Sequence, residues 1–130
     1  MMYKAFKLLI VLLFSFKSFS QATLEIKNNS RRLMILKVME VDEGDGTLFK
    51  EVSIPAYANK TILFFSSGTY FTKTKAMLKG KEPVYEKGKI FQVINDSRGH
   101  SIMTITFSIR ESSIPVTSGK KISKAEFEKN

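Results

Sequence analysis

The sequence predicts an all-β domain, an antiparallel β-sandwich of about seven strands preceded by a signal peptide. Three observations lead there. Between Thr23 and Glu111, runs of β-branched and aromatic residues alternate with Gly, Asn, Asp and Ser clusters roughly every 8–12 residues, the rhythm of short strands joined by turns. Two runs, Thr47–Ile54 and Ser101–Arg110, alternate apolar and polar side chains as a sheet with one buried face does. No stretch carries long helical periodicity, and no internal repeat is present.

The chain begins with an export signal over residues 1–20. Lys4 and Lys7 form its positive start and Leu8–Phe16 its apolar core. Ser18-Phe19-Ser20 then sets small side chains at the −3 and −1 positions of a signal-peptidase site, so cleavage is expected after Ser20 or, alternatively, after Ala22. The apolar run is roughly half the ~20 residues that span a bilayer, which predicts a cleaved signal and no transmembrane segment after it.

Thr23–Lys27 is the first strand, ended by Asn28-Asn29-Ser30, and Leu33–Val41 is the second. Asp42-Glu43-Gly44-Asp45-Gly46 is a hairpin loop with an Asp-Gly turn signal. In Thr47–Ile54, Leu48, Val52 and Ile54 share one face; Lys50 on that face marks an edge or a strand end, and Pro55 stops the ladder. Thr61–Phe65 is a short apolar strand closed by Ser66-Ser67-Gly68. Thr69–Lys79 is a long strand ended by Gly80-Lys81-Glu82-Pro83. Gly88 interrupts Tyr85–Ile94, so a bulge or small hairpin is expected before Ile90–Ile94. Asn95–His100 is a turn. Ser101–Arg110 points Met103, Ile105, Phe107 and Ile109 inward. The domain is thus expected over residues 21–111. Residues 112–130, rich in Ser and Lys, are expected as a polar, mobile tail, with a capping-box spacing at Ser123 and Glu126 that can start a helical turn through Phe127.

Ile54-Pro55-Ala56, Thr61-Ile62-Leu63-Phe64-Phe65 and Ser67-Gly68-Thr69-Tyr70-Phe71 together resemble the apolar strand, small loop and Gly-x-Tyr strand of prealbumin-like bacterial β-sandwich modules, the PEGA and carboxypeptidase-regulatory-like domains. The resemblance covers about twenty residues, and no glycine stands next to Pro55 as that pattern has it. It implies a sandwich of immunoglobulin-like or prealbumin-like type and no catalytic residues, because such modules serve as attachment or spacer units.

Composition sets the compartment and excludes several chemistries. Three of the 21 Lys and Arg residues and none of the 12 acids lie in the signal, so the mature chain carries +6. A basic exported domain meets anionic glycan, another envelope component or an acidic protein surface; the export signal removes it from nucleic acid. The chain has no cysteine. That excludes disulfides, thiolate catalysis, cysteine-bound zinc or iron–sulfur and a cysteine-linked lipid anchor, and it suits a bacterial periplasmic or cell-surface protein better than a disulfide-stapled secreted one.

No catalytic motif is legible. His100, the single histidine, sits in a polar turn without a nucleophile elbow nearby. The acidic loop at 42–46 lacks the spacing of a calcium loop, so neither a metal site nor a cofactor is expected. The distinctive charged set is lysine: Phe71, Lys73, Lys75, Met77 and Lys79 fall on one face of their strand, with Lys87 and Lys89 in the next segment. Such a strip either holds an anionic ligand or protects a sheet edge from aggregation. The function expected from sequence is an exported, non-enzymatic binding or structural module at the cell envelope, with Lys73, Lys75, Lys79, Lys87 and Lys89 as ligand contacts. The alternatives are a subunit or inhibitor that engages a protein partner through an open sheet edge and, third, a small hydrolase.

Overall fold

The computed structural model describes residues 21–130 except Glu43 and Asp45; the expected signal (1–20) and those two acids of the hairpin loop lie outside the described residues. In chain order the strands are β1 (Ala22–Asn28), β2 (Leu33–Glu40), β3 (Thr47–Ile54), β4 (Asn59–Phe64), β5 (Gly68–Met77), β6 (Val84–Lys87) and β7 (Phe91–Val93). Six more follow, all of two residues except β10: β8 (Asn95–Asp96), β9 (Gly99–His100), β10 (Ile102–Phe107), β11 (Ile109–Arg110), β12 (Val116–Thr117) and β13 (Lys120–Lys121). One helix, α1 (Lys124–Glu128), completes the described chain. The all-β expectation holds.

Strand pairing forms two main sheets. One has the order β10-β1-β4; the other runs β13-β6-β5-β2-β3, with β7 also paired to β5. Small hairpins join β8 to β9 and β11 to β12. Pairing is antiparallel throughout the larger sheet, whereas β1 and β10 run parallel, with Thr23 opposite Ile102 and Asn28 opposite Phe107. Side-chain alternation repeats every second residue in either direction, so the sequence does not reveal strand direction.

Both sheets feed one core. Ala22, Leu24, Ile26, Ile62, Phe64 and Phe107 from the smaller sheet join Met34, Leu36, Val38, Ile54, Tyr70, Ala76 and Val93 from the larger. The alternation predicted for Ser101–Arg110 holds, since Phe107 is buried and Met103, Ile105 and Ile109 pack partly buried against the core. In β3 the expected face is broken by a register shift opposite Val38 and Met39. Val52 and Ile54 stay on the core side. The bulge hands Leu48 to the opposite face, against Met39, and lets Phe49 stack on Phe64 with ring centroids 5.2 Å apart.

The segment expected as a tail carries structure. β13 adds to the edge of β6, and α1 lies against the larger sheet with Phe127 buried and its ring 5.6 Å from that of Tyr85. The Ser123 hydroxyl caps the helix by accepting from the Glu126 amide, as the capping-box spacing predicted. The last described residue reaches β3, where the Leu48 amide donates to the Asn130 carbonyl. Residues 122–130 therefore cross the outer face of the sheet like a strap. Its anchors, Ile122 and Phe127, are two apolar residues in a polar context, too sparse to register as an amphipathic pattern.

Candidate functional site

The five lysines singled out by sequence do not form one exposed strip. The predicted parity is right: Lys73 and Lys87 are cross-strand partners, and Lys37 and Lys120 extend the same row across four strands. What differs is exposure. Lys73 is 3% exposed and Lys37 5%, because α1 covers them. The Lys37 ammonium donates to the Phe127 carbonyl and the Asn130 side chain at 2.8 Å each, and Lys73 donates to the Glu126 and Lys129 carbonyls. A five-residue helix leaves its last carbonyls without internal partners, and these ammonium groups supply them. Lys87 rests 4.7 Å from the centre of the Phe71 ring and Lys75 5.8 Å from that of Tyr85. Lys79 is exposed in the turn after β5, and Lys89 is exposed beyond β6. Of the five, Lys73 is withdrawn into structural work, while Lys89 borders the inter-sheet cavity described below.

Arg32, in the loop between β1 and β2, is fully buried. Its guanidinium grips the Glu111 carboxylate with two bonds, Nε to Oε2 at 2.8 Å and Nη2 to Oε1 at 3.0 Å, and its Nη1 donates to the carbonyls of Ala76 and Glu82. The bond from Arg32 holds the Glu111 carboxyl below its ordinary pKa against the opposing effect of burial, with the positive charges of Arg32, Lys81 and Arg31 adding to it. Asn28 and Ser30 tie the preceding loop together: the Asn28 amide donates to the carbonyls of Arg32, Ile54 and Pro55, and the Ser30 hydroxyl donates to the Asn28 side chain. Beside this network lies a cavity of about 510 Å³, bounded by Arg32, Lys81, Tyr85, Ser112, Val116 and Lys121 among others. Its charged wall is already engaged, Arg32 and Lys81 by Glu111, and the cavity marks the seam where residues 112–121 close onto β6.

A second cavity, about 380 Å³, lies between the two sheets and has a more open chemistry. Its wall on the larger sheet carries Thr72, Thr74 and Glu86; Thr74 and Glu86 are directly opposite each other across β5 and β6. The facing wall is apolar, from Ile26, Ile105 and Phe107, with Phe91 and Ile90 nearby. A bulge makes this space. Between the pairs Lys73–Lys87 and Tyr70–Phe91, three residues (88–90) face two (71 and 72), which is the irregularity that Gly88 predicted. Gly88 is required there, because a Cβ on it would stand 2.4 Å from the Thr72 hydroxyl oxygen.

Glu86 is the unusual member. It is 9% exposed, its Oε2 accepts from the Gly119 amide at 3.0 Å, and none of the ion pairs among the described residues engages it. A Cβ on residue 119 would sit 2.6 Å from that oxygen, so only glycine lets the amide approach. No buried polar side-chain atom among the described residues lacks a partner, yet no side-chain hydrogen bond engages Thr72 or Thr74; their hydroxyls therefore open onto the cavity. Sequence reading passed over these three residues. In the sequence Thr72 and Thr74 stand out only as the face opposite the lysines, and Glu86 falls in the stretch expected as a bulge or small hairpin.

The remaining candidates stay peripheral. His100 is exposed in the β8–β9 hairpin and borders neither of the two cavities described above. Within the acidic loop, Asp42 accepts a bond from the Thr47 hydroxyl, and no group of three metal-ligating side chains occurs among the described residues. No family model matches the chain, and neither the curated proteins nor the solved structures contain a match to it.

Proposed function

We propose that the protein is an exported, non-enzymatic β-sandwich module of the bacterial cell envelope, and that its ligand occupies the cleft between the two sheets. The observation that carries this reading is the cleft itself, in which a nearly buried carboxylate and two open hydroxyls face an apolar wall. Natural cores do not leave polar groups against apolar ones without compensation, whereas a binding site has this composition: mostly apolar, with a few convergent polar groups. The shared core of the two sheets supports the sandwich reading, and the basic charge of the mature chain supports contact with an anionic envelope component.

Amide chemical shifts of the mature protein titrated with solubilised envelope lipid and glycan fractions test this. The expected result is a set of shifts clustered on residues 72–74, 86–91, 105–107 and 118–119. Shifts confined to other surfaces, or none in any fraction, would remove the cleft as the site.

A second reading has its own observation. On the outer face of the smaller sheet, Ile102 (76% exposed) and Leu63 (45%) flank Thr23 in register, and β10 is an edge strand. A protein partner adding a strand beside β10 would cover Ile102. Co-purification of a stoichiometric partner that is lost on Ile102→Lys supports this reading; an unchanged complex excludes that edge.

A further inference from the structure

We infer that the cleft selects a zwitterionic amphiphile, with an ammonium group on Glu86, an anionic group at Lys89 and an apolar chain against Ile105 and Phe107. This rests on the cleft being the ligand site. The polarity of the cavity is ordered. Glu86 lies inside, 9% exposed, with one of its oxygens committed to Gly119 and no ion pair among the described residues. Lys89 lies at the mouth, exposed to solvent and on the bulge that opens the cavity. Thr72 and Thr74 add hydroxyl acceptors on the wall that bears Glu86, and the opposite wall offers carbon.

A carboxylate in such a setting discriminates by what meets it. A second anion is rejected by Coulomb repulsion in a partly desolvated space, and an alkyl group leaves the carboxylate stripped of water without compensation. An ammonium N–H supplies both charge and hydrogen bonds, and charge-assisted bonds are the strong ones. A purely cationic ligand fits less well, since the mature chain carries +6 and Lys89 guards the entrance. An anionic group placed a short distance from the ammonium turns that lysine from a barrier into a contact. The chemistry named is that of an aminoalkyl phosphate on a hydrocarbon chain, which a membrane lipid presents.

The test is isothermal titration and amide-shift mapping of the mature protein with four probes: octyl phosphoethanolamine, octyl phosphocholine, octyl phosphate and free phosphoethanolamine. The phosphocholine retains the charges but has no N–H to donate, the phosphate lacks the cation, and the free head group lacks the chain. Octyl phosphoethanolamine should bind about tenfold or more tightly than octyl phosphocholine and octyl phosphate, the factor expected from one charge-assisted hydrogen bond, and more tightly than free phosphoethanolamine, which has no chain to bury. Glu86→Gln should erase the preference over octyl phosphocholine and octyl phosphate without weakening octyl phosphate, and Lys89→Gln should weaken all three octyl probes, each of which carries the phosphate, by about twofold, as an exposed pair does. Should Glu86→Gln fail to fold, Thr74→Val serves in its place and should lower the affinity for octyl phosphoethanolamine severalfold. Equal affinity for the three octyl probes, with shifts still on the cleft, would overturn the ligand class and leave the site standing. Tight binding of free phosphoethanolamine would assign a soluble ligand instead of a lipid and likewise overturn the proposal. Absence of shifts at the cleft with every probe would overturn the site as well.

Discussion

Replacing Glu111 by Gln tests the Arg32 network most directly. The substitution keeps the shape of the side chain, removes its charge, and puts an amide N–H₂ where one guanidinium nitrogen now finds an acceptor. Removing one partner of a buried ion pair costs about 3–5 kcal/mol when the other charge is left stranded. Two features of the structure lower that figure. The Glu111 side chain is 19% exposed, and Arg32 keeps its bonds to the carbonyls of Ala76 and Glu82 at 3.2 and 3.0 Å. About 2–3 kcal/mol is therefore expected, a fall in thermal midpoint of about 10–20 °C for a domain of this size. The pH dependence adds a second readout. Arg32 lowers the folded-state pKa of Glu111, so the ion pair stabilises the fold above the unfolded carboxyl value near ~4.3 and is lost as pH falls through the lower folded value. The wild type and Glu111→Gln should thus differ at pH 7 and converge in acid. Thermal melts followed by circular dichroism, from neutral pH downward, measure both. A difference below about 0.5 kcal/mol at neutral pH, the size of an ordinary surface substitution, would refute the reasoning. So would a gap that persists undiminished into acid.

Two further outcomes follow from the fold and a third from the N-terminal sequence. Phe107→Ala should cost about 3–5 kcal/mol in denaturant unfolding, since the ring is 4% exposed within the shared core; a loss under about 1 kcal/mol would contradict its inward register. Phe127→Ala should release the strap while the sheets persist, speeding hydrogen exchange of the amides of Ile122 and Phe127 and leaving those of β1 unchanged; uniform acceleration would mean that the strap and sheets unfold together. Mass spectrometry of protein from its native host should find a mature start at Gln21 or Thr23, and an intact Met1 on a cytoplasmic protein would end the export proposal.

The parts of the fold that announce themselves in the sequence are those with one wet face. Ser101–Arg110 is readable because Thr104 and Thr106 are exposed while Phe107 is buried, so composition and burial agree. β5 breaks that agreement. Phe71 and Lys73 are as buried as Tyr70 and Thr72 on the other face, because a strap from the far end of the chain lies over them. A lysine whose ammonium ends on backbone carbonyls has the same letter as one in water, and nothing near residue 73 identifies its cover. Arg32 is hidden for the same reason, as its partner Glu111 is 79 residues away. The cleft was half legible. Gly88 signalled the bulge that forms it, whereas the burial of Glu86 depends on the Gly119 amide arriving from another element.

The parallel pairing of β1 with β10 also governs when the molecule can fold. β1 is the middle strand of its sheet, and its two neighbours arrive at very different times: β4 within the next forty residues or so and β10 close to the end of the chain. A chain emerging from its N-terminus must hold β1, with its fully buried Ala22, Leu24 and Ile26, along an incomplete sheet until Phe107 has appeared. Non-local pairing of this kind makes folding late and slow, and it leaves an unfilled strand edge open to capture. For a polypeptide threaded through a membrane before it folds, lateness is an advantage, because a sheet that cannot close early cannot jam the pore. The same delay in a crowded cytoplasm would expose the edge of β1 to aggregation, so production without an export route should yield more insoluble protein than production with one.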